Sequence, residues 1–336
     1  MSEAITETVQ RKTKTKTMKA VVFAAPRIIE VKEIEISEPA AGEVRVKLQG
    51  CGVCGSNLPV WQGRRWFNYP FEPGNPGHEG WGTIEKIGEG VEGFSKGDRV
   101  AYIGFHSYAE YENVSADALV KIPASLDDIP FPGEPFACAV NIFRRSEIQS
   151  GQKVAVTGIG FLGAMLVQLA SQAGAEVIAI SRRPFALAIA ERFGAKHVIN
   201  LNDENLVEKV EQLTDKHYCD VVIEAVGVQK TLDIAGELTG IRKRLVIAGY
   251  HQDGNRQVKM QMWNWKGLDV VNAHERYSQV YLNGIETAIK LIEEGKFRPH
   301  ELLTHYYSIE DIGSAFEDME ERPSGFLKGI IEFAGN

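Results

Sequence analysis

Cysteine is scarce in this chain: four in 336 residues, at positions 51, 54, 138 and 219. A disulfide framework needs a shorter and more cysteine-dense chain, so these four point to a reducing compartment, with metal binding open to them. Long apolar runs are also lacking, and none approaches the ~20 residues that span a bilayer. Positive charge is in deficit, with 37 Lys and Arg against 45 Asp and Glu and a formal net charge of −8. A nucleic-acid binder would carry a basic face, so that class is set aside. The opening segment, MSEAITETVQRKTKTKTM, has neither the apolar centre of a secretory signal nor the amphipathic stripe of a transit peptide. Residues 1–17 read as a solvated, disordered tail and the protein as cytoplasmic. The rest of the composition is ordinary for a globular chain, 44% apolar and 24% charged. Its length fits two domains better than one.

What is present divides the chain in two. From Met18 to about residue 130 the pattern is short, β-branched and rich in turns. Glu43 to Leu48 alternates apolar and polar residues strictly, which predicts a strand with one buried face. It runs into Gly52-Val53-Cys54-Gly55-Ser56, an aromatic-rich loop (Trp61, Trp66, Phe67, Tyr69, Phe71), and Gly77-His78-Glu79. From about Ala139 strands alternate with helices, the signature of a doubly wound parallel sheet. Helices are expected at Ala186–Phe193, Leu206–Leu213, Thr231–Leu238, Ile285–Glu294 and Ile309–Glu320. Strands are expected at Asp220–Ala225 and Arg244–Gly249, and Gly329–Phe333 reads as a last strand returning to the first domain.

The most informative stretch is Lys153–Arg183. The run Val154-Ala155-Val156 leads into Gly158, Gly160 and Gly163, spaced G-x-G-x-x-G, and then an apolar helix from Phe161 to Ala173. A glycine turn that follows a strand and opens a helix fits a dinucleotide. Gly158 allows the turn, Gly160 lets the backbone approach a pyrophosphate, and Gly163 lets helix and strand pack closely. The helix start at Phe161 and Leu162 offers free N–H groups to the phosphates.

Cys54, His78, Glu79 and Glu134 are candidate zinc ligands, since zinc takes thiolate, imidazole and carboxylate donors. Spacing alone does not bring them together. Cys138 lies close to Glu134 in sequence and competes as third ligand, while Cys51 and Cys219 read as core residues.

In combination these motifs resemble the zinc-dependent medium-chain alcohol and polyol dehydrogenases, from Met18 to Phe333. Gly52-Val53-Cys54-Gly55-Ser56 looks like that family's first zinc-ligand turn, and Gly77-His78-Glu79-x-x-Gly82 like its second. Gly97-Asp98-Arg99-Val100 closes the region as in the family, and Glu134-Pro135 resembles the sorbitol and threonine dehydrogenase branches. Lys328 matches a basic residue that contacts the cofactor in relatives. The resemblance implies an α/β architecture: a GroES-like β-rich catalytic domain (residues 18–140 and 277–336) interrupted by a Rossmann domain (residues 141–276). It implies reversible hydride transfer between an alcohol and a nicotinamide, with one zinc as Lewis acid. Cys54, Ser56, His78 and Glu79 would be the catalytic residues. A homodimer or homotetramer acting on a small alcohol or carbonyl, without nucleic acid or membrane, completes the picture.

Departures from the family pattern are also visible. Asn57 and Pro59 stand where relatives usually have Asp and often His, which leaves Ser56 as the proton relay. The four clustered cysteines of a structural zinc are missing. Trp263, Trp265 and Asn272 to Arg276 match no named enzyme, and His274 reads as a strand cap rather than a cleft residue. At the end of the second Rossmann strand, where an acidic residue would receive a ribose 2′-hydroxyl, the chain has Ser181-Arg182-Arg183. Two guanidiniums suit a 2′-phosphate, so NADP(H) is expected over NAD(H). The competing readings are a zinc-free quinone or enoyl reductase of the same fold and a non-catalytic NADP-binding regulator.

Overall fold

The strictly alternating segment Glu43–Leu48 forms the strand that pairs with the most neighbours around the site. The structure is a computed structural model that describes residues 16–333; most of the expected N-terminal tail lies outside the described residues. Order begins slightly earlier than expected, because Thr17 already pairs with Glu35. The strands are β1 (Thr17–Ala25), β2 (Ile28–Glu35), β3 (Glu43–Gly52), β4 (Gly80–Ile87), β5 (Arg99–Tyr102), β6 (Tyr111–Ser115) and β7 (Leu119–Lys121), with the short helix α1 (Leu58–Gln62) between β3 and β4. Helix α2 (Gly133–Ser146) leads into the alternating half: β8 (Lys153–Thr157), α3 (Phe161–Gln172), β9 (Glu176–Ser181), α4 (Pro184–Arg192), β10 (His197–Asn200), α5 (Leu206–Leu213), β11 (Cys219–Glu224), α6 (Gln229–Leu238), β12 (Thr239–Ile247), α7 (Met260–Lys266) and β13 (Asp269–Asn272). The chain then forms α8 (Ser278–Glu293), β14 (His305–Tyr307), α9 (Ile312–Glu321) and β15 (Gly329–Glu332).

Six strands form a parallel sheet in the order β10-β9-β8-β11-β12-β13. Its strands are apolar on both faces because helices cover both. Val154 and Val156 of β8 face a core with Phe136 and Val140 of α2, Met165 of α3 and Ile285 of α8. Ala155, one residue out of phase, faces Val210 of α5 and Leu232 of α6. The order reverses between β8 and β11, and the crevice at that switch point is where such sheets bind ligands.

The second sheet runs β14-β15-β3-β4-β5-β7, with β6 also paired to β3. β15 pairs antiparallel to β3, Ile331 opposite Cys51, so the chain's end returns to the first sheet as the sequence reading held. The expected helix at 285–294 starts seven residues earlier, and the one at 309–320 starts three later. Helices α2 and α7 and strands β10 and β13 were not expected; α7, β10 and β13 are short segments that tertiary packing decides, whereas α2 is a 14-residue amphipathic helix.

Most of the aromatic loop turns out to be core. Trp61 is buried and stacks on Phe316 of α9, and Phe67, Tyr69 and Phe71 pack on the same cluster. Trp66 and Phe105 are exposed. Trp263 is buried under the parallel sheet, whereas Trp265 is 87% exposed. His274 is exposed two residues beyond β13 and stacks on Tyr250, so it caps no strand.

Candidate metal and dinucleotide site

Strand register brings the metal candidates together. Cys51 of β3 lies opposite Gly80 of β4, so the exit of β3, carrying Cys54, meets the entrance of β4, carrying His78 and Glu79. The backbone N–H of Gly52 donates to Glu79 O at 3.1 Å. Ligand atoms of Cys54, His78 and Glu79 all lie within 4.8 Å of one another. A tetrahedral zinc with bonds of ~2.0–2.3 Å needs its donors about 3.3–3.8 Å apart, so these three fit one ion after a small contraction. Glu134, the other carboxylate candidate, is not in that group. It sits in the first turn of α2, where its Oε1 accepts the Cys138 Sγ–H at 3.2 Å.

Second contacts fix this arrangement. The Pro76 carbonyl pairs with His78 Nδ1 at 2.9 Å and accepts the Asn57 Nδ2–H at 2.8 Å. With Nδ1 carrying the proton, Nε2 keeps its lone pair for a metal. Ser56 Oγ donates to Cys54 Sγ at 3.2 Å. The loop behind His78 is tied down by the buried Glu112, which accepts hydrogens from Tyr102, Ser107 and the Phe105 and His106 backbone. Burial opposes a charged His78 ring, but Cys54, Glu134 and Glu79 hold its pKa up at about 10. Burial raises the Glu134 carboxyl above its usual range, with His78 pulling the other way. Burial, reinforced by Glu134, pushes the Cys138 thiol well up, which suits a hydrogen-bond donor rather than a thiolate.

Lys328 is not free to reach solvent. It is 5% exposed, its Nζ donates to Glu79 Oε1 at 2.7 Å, and it also meets Oε2. Burial lowers its pKa, and Glu79, Cys54 and Glu134 together more than offset that. The same ammonium lies 5.1 Å from the ring centroid of Phe161, the first residue of α3. One side chain therefore links the metal candidates to the glycine turn.

In that turn Gly158 has φ +95° and its N–H donates to Ile180 O at 2.8 Å. A Cβ on Gly163 would lie 1.9 Å from Gly158 O, while one on Gly160 would meet nothing within 4 Å. The protein thus leaves Gly160 facing open space, as a bound pyrophosphate requires. Phe161 and Leu162 turn their side chains toward the core, so what they offer a cofactor is backbone N–H at a helix start. Beneath the neighbouring turn the buried Glu224 accepts the Val226 and Gly227 N–H groups at 2.9 Å each, with Thr231 and His251 as further partners. Nothing in the sequence singled out Glu224, Glu112 or the Pro76 carbonyl; they are ordinary residues until the loops meet.

At the end of β9 Ser181 is buried and its Oγ accepts the Arg183 N–H at 3.4 Å. Arg183 Nη1 donates to Phe326 O at 2.5 Å, and Arg182 is exposed. Among the described residues neither guanidinium has a carboxylate within 4.0 Å.

No helix among the described residues is long and apolar enough to cross a membrane. A profile of the alcohol dehydrogenase GroES-like domain matches residues 40–124, and one of the zinc-binding dehydrogenases matches residues 162–294. A 2-dehydro-3-deoxy-L-galactonate 5-dehydrogenase from Pseudoalteromonas atlantica is 28% identical over 345 residues, covering 94% of this chain and 98% of that one. A short chain alcohol dehydrogenase from E. coli CFT073, complexed with NADH, matches at 26% identity and TM-score 0.84, over 94% of this chain and 99% of that one. A zinc-binding dehydrogenase structure from Sinorhizobium meliloti 1021, bound to NADP, matches at 25% identity and TM-score 0.83, over 95% of this chain and all of that one. With both domain profiles in chain order and relatives that cover nearly all of its length, the chain belongs to the zinc-type medium-chain dehydrogenase family and is an alcohol-dehydrogenase-like oxidoreductase.

Proposed function

We propose that this chain holds one catalytic zinc through Cys54, His78 and a carboxylate, and transfers a hydride between NADP(H) and the alcohol/carbonyl carbon of a small substrate. The observation that carries the reading is Lys328, whose Nζ touches Glu79 and also faces Phe161 at the start of α3. Donor cluster and dinucleotide turn are thereby one site. When bound, zinc supplies a Lewis acid for the substrate oxygen, and the nicotinamide accepts or delivers the hydride.

The chain's own residues prepare these events. His78 presents Nε2 because Nδ1 is engaged by the Pro76 carbonyl. Lys328 holds Glu79 in an ion pair, which leaves Glu134, one turn from Cys138, as the other carboxylate able to complete the ligand set. Ser56 Oγ, beside Cys54, takes up and passes on the proton of the substrate hydroxyl. Asn57 has its amide committed to Pro76 O, and it supports the His78 loop rather than the proton path. The first N–H groups of α3 and the open face of Gly160 receive the pyrophosphate.

The preference for NADP(H) rests on Arg182 and Arg183, with no carboxylate at the end of β9 to repel a 2′-phosphate. The sugar-acid relative puts polyhydroxy acids and polyols first in a substrate panel. The same reading places the enzyme in the cytoplasm, where its four free thiols persist, as a dimer or tetramer. Metal analysis, chelation and kcat/KM with each dinucleotide test it together. The expected results are about one zinc per chain, turnover lost with the metal, and a higher kcat/KM for NADP(H). Full activity after chelation would refute the zinc role, and a clear preference for NAD(H) would refute the cofactor choice.

A further inference from the structure

The C-terminal segment of the catalytic part reaches the far end of the dinucleotide site. Helix α9 ends at Arg322, a left-handed residue with φ 54° whose N–H donates to Asp318 O at 2.7 Å. The chain then turns through Pro323–Phe326, with the Phe326 N–H donating to Pro323 O at 3.0 Å. The carbonyl of that same Phe326 accepts Arg183 Nη1 at 2.5 Å. The turn that begins at Arg322 therefore ends on Arg183, which occupies the N-cap position of α4.

Charge in this corner is not balanced. Arg322 spends its Nε on Met319 O at 3.4 Å, and its two terminal nitrogens have no acceptor among the described residues. Among the described residues Arg182, Arg183 and Arg322 form no ion pair either. Burial lowers the pKa of Arg183, and Arg322 and Arg182 lower it further; burial and Arg182 do the same to Arg322. Three guanidiniums thus repel one another across two parts of the fold, at the start of a helix whose dipole adds to the positive potential. Such an arrangement is relieved by a dianion that accepts several charge-assisted hydrogen bonds.

We propose that Arg322 is the third cation of a phosphomonoester site that receives the adenosine 2′-phosphate, so that the catalytic part as well as the Rossmann part selects the dinucleotide. This rests on the NADP(H) reading above. Arg182 and Arg183 come from the loop after β9, and Arg322 closes the site from the other side.

The test is titration calorimetry of the full chain with 2′-AMP and with 5′-AMP, for wild type, Arg322→Gln and Arg322→Lys, alongside the NADP/NAD ratio of kcat/KM. Losing a charge-assisted hydrogen bond to phosphate weakens binding by about 10–100-fold. Arg322→Gln is expected to lose that much for 2′-AMP, to lose far less for 5′-AMP, and to lower the NADP/NAD ratio by a similar factor. Arg322→Lys, which keeps the charge, recovers part of both. Unchanged 2′-AMP affinity in Arg322→Gln overturns the role of Arg322 while leaving the NADP(H) preference standing. Equal weakening for both nucleotides overturns it as well, as the mark of a general folding defect. A wild type that prefers NAD(H) and binds 2′-AMP no better than 5′-AMP removes the underlying reading itself.

Discussion

Gly160 and Gly163 stand three residues apart in one motif, yet the structure predicts opposite consequences for replacing them with alanine. At Gly163 the new Cβ would sit 1.9 Å from Gly158 O and 3.0 Å from Gly158 C, both backbone atoms. Neither can swing aside, so the α3 start must move away from the turn by more than an ångström in a close-packed core. Overpacking of this kind costs about 1–3 kcal/mol, set against a helix-propensity gain for alanine of ~1 kcal/mol. A net loss of up to about 2 kcal/mol is expected in the cofactor-free protein. At Gly160, φ is −91° and a Cβ would meet no atom within 4 Å, so alanine is sterically free and costs the fold ~0.5 kcal/mol as a poorer cap. The methyl group would instead occupy the space a pyrophosphate needs. Denaturant melts of the cofactor-free protein and dinucleotide binding by fluorescence separate the two. Gly163→Ala should shift the melt, and Gly160→Ala should melt like wild type but bind dinucleotide at least tenfold more weakly. Wild-type affinity in Gly160→Ala would refute the placement of the phosphates.

Two further expectations concern charge. Lys328→Met leaves the Glu79 carboxylate buried without its partner, which should cost about 3–5 kcal/mol in chelated protein; adding Glu79→Gln should recover much of that, and a single variant as stable as wild type in urea would contradict the pairing. Glu176, at the start of β9, has its pKa lowered to about 2 by Lys153, Lys196 and, more weakly, His197. A lowered folded-state pKa gives stability that is present above the unfolded value of 4.5 and is lost as pH falls toward 2. Because the cluster is partly solvated, its worth is discounted to ~1 kcal/mol. Glu176→Gln should therefore be less stable than wild type at pH 7, and the gap should narrow below pH ~4.5. A gap that stays constant between pH 6 and 3.5 in urea melts would show that Glu176 contributes by packing instead.

How much of this site could be read from the chain alone follows from the range of the interactions involved. The glycine turn was legible because strand, turn and helix are contiguous, and backbone sterics within six residues decide them. The alternation of Glu43–Leu48 and the apolar runs at Val154–Val156 and Val177–Ile180 likewise carry their own periodicity. The family motifs around Cys54 and His78 are equally local, so donor types could be named.

Which donors meet was a different matter. Cys54 and His78 converge because Cys51 pairs with Gly80, and Lys328 reaches Glu79 across 249 residues because Ile331 pairs with Cys51. Glu134 reaches this corner from α2, where it pairs with Cys138 and acts on the His78 ring from outside the tighter group of Cys54, His78 and Glu79. The aromatic loop carries no period that says what it packs against, and Phe316 of α9, far along the chain, is what covers Trp61. The sequence by itself determined the local chemistry: a dinucleotide turn, a strand with one buried face, a set of soft and hard metal donors, and arginines where a carboxylate would stand. Only the tertiary structure decided the company each keeps, because strand register and helix packing are set by contacts between segments far apart in the chain, whose individual patterns are compatible with many partners.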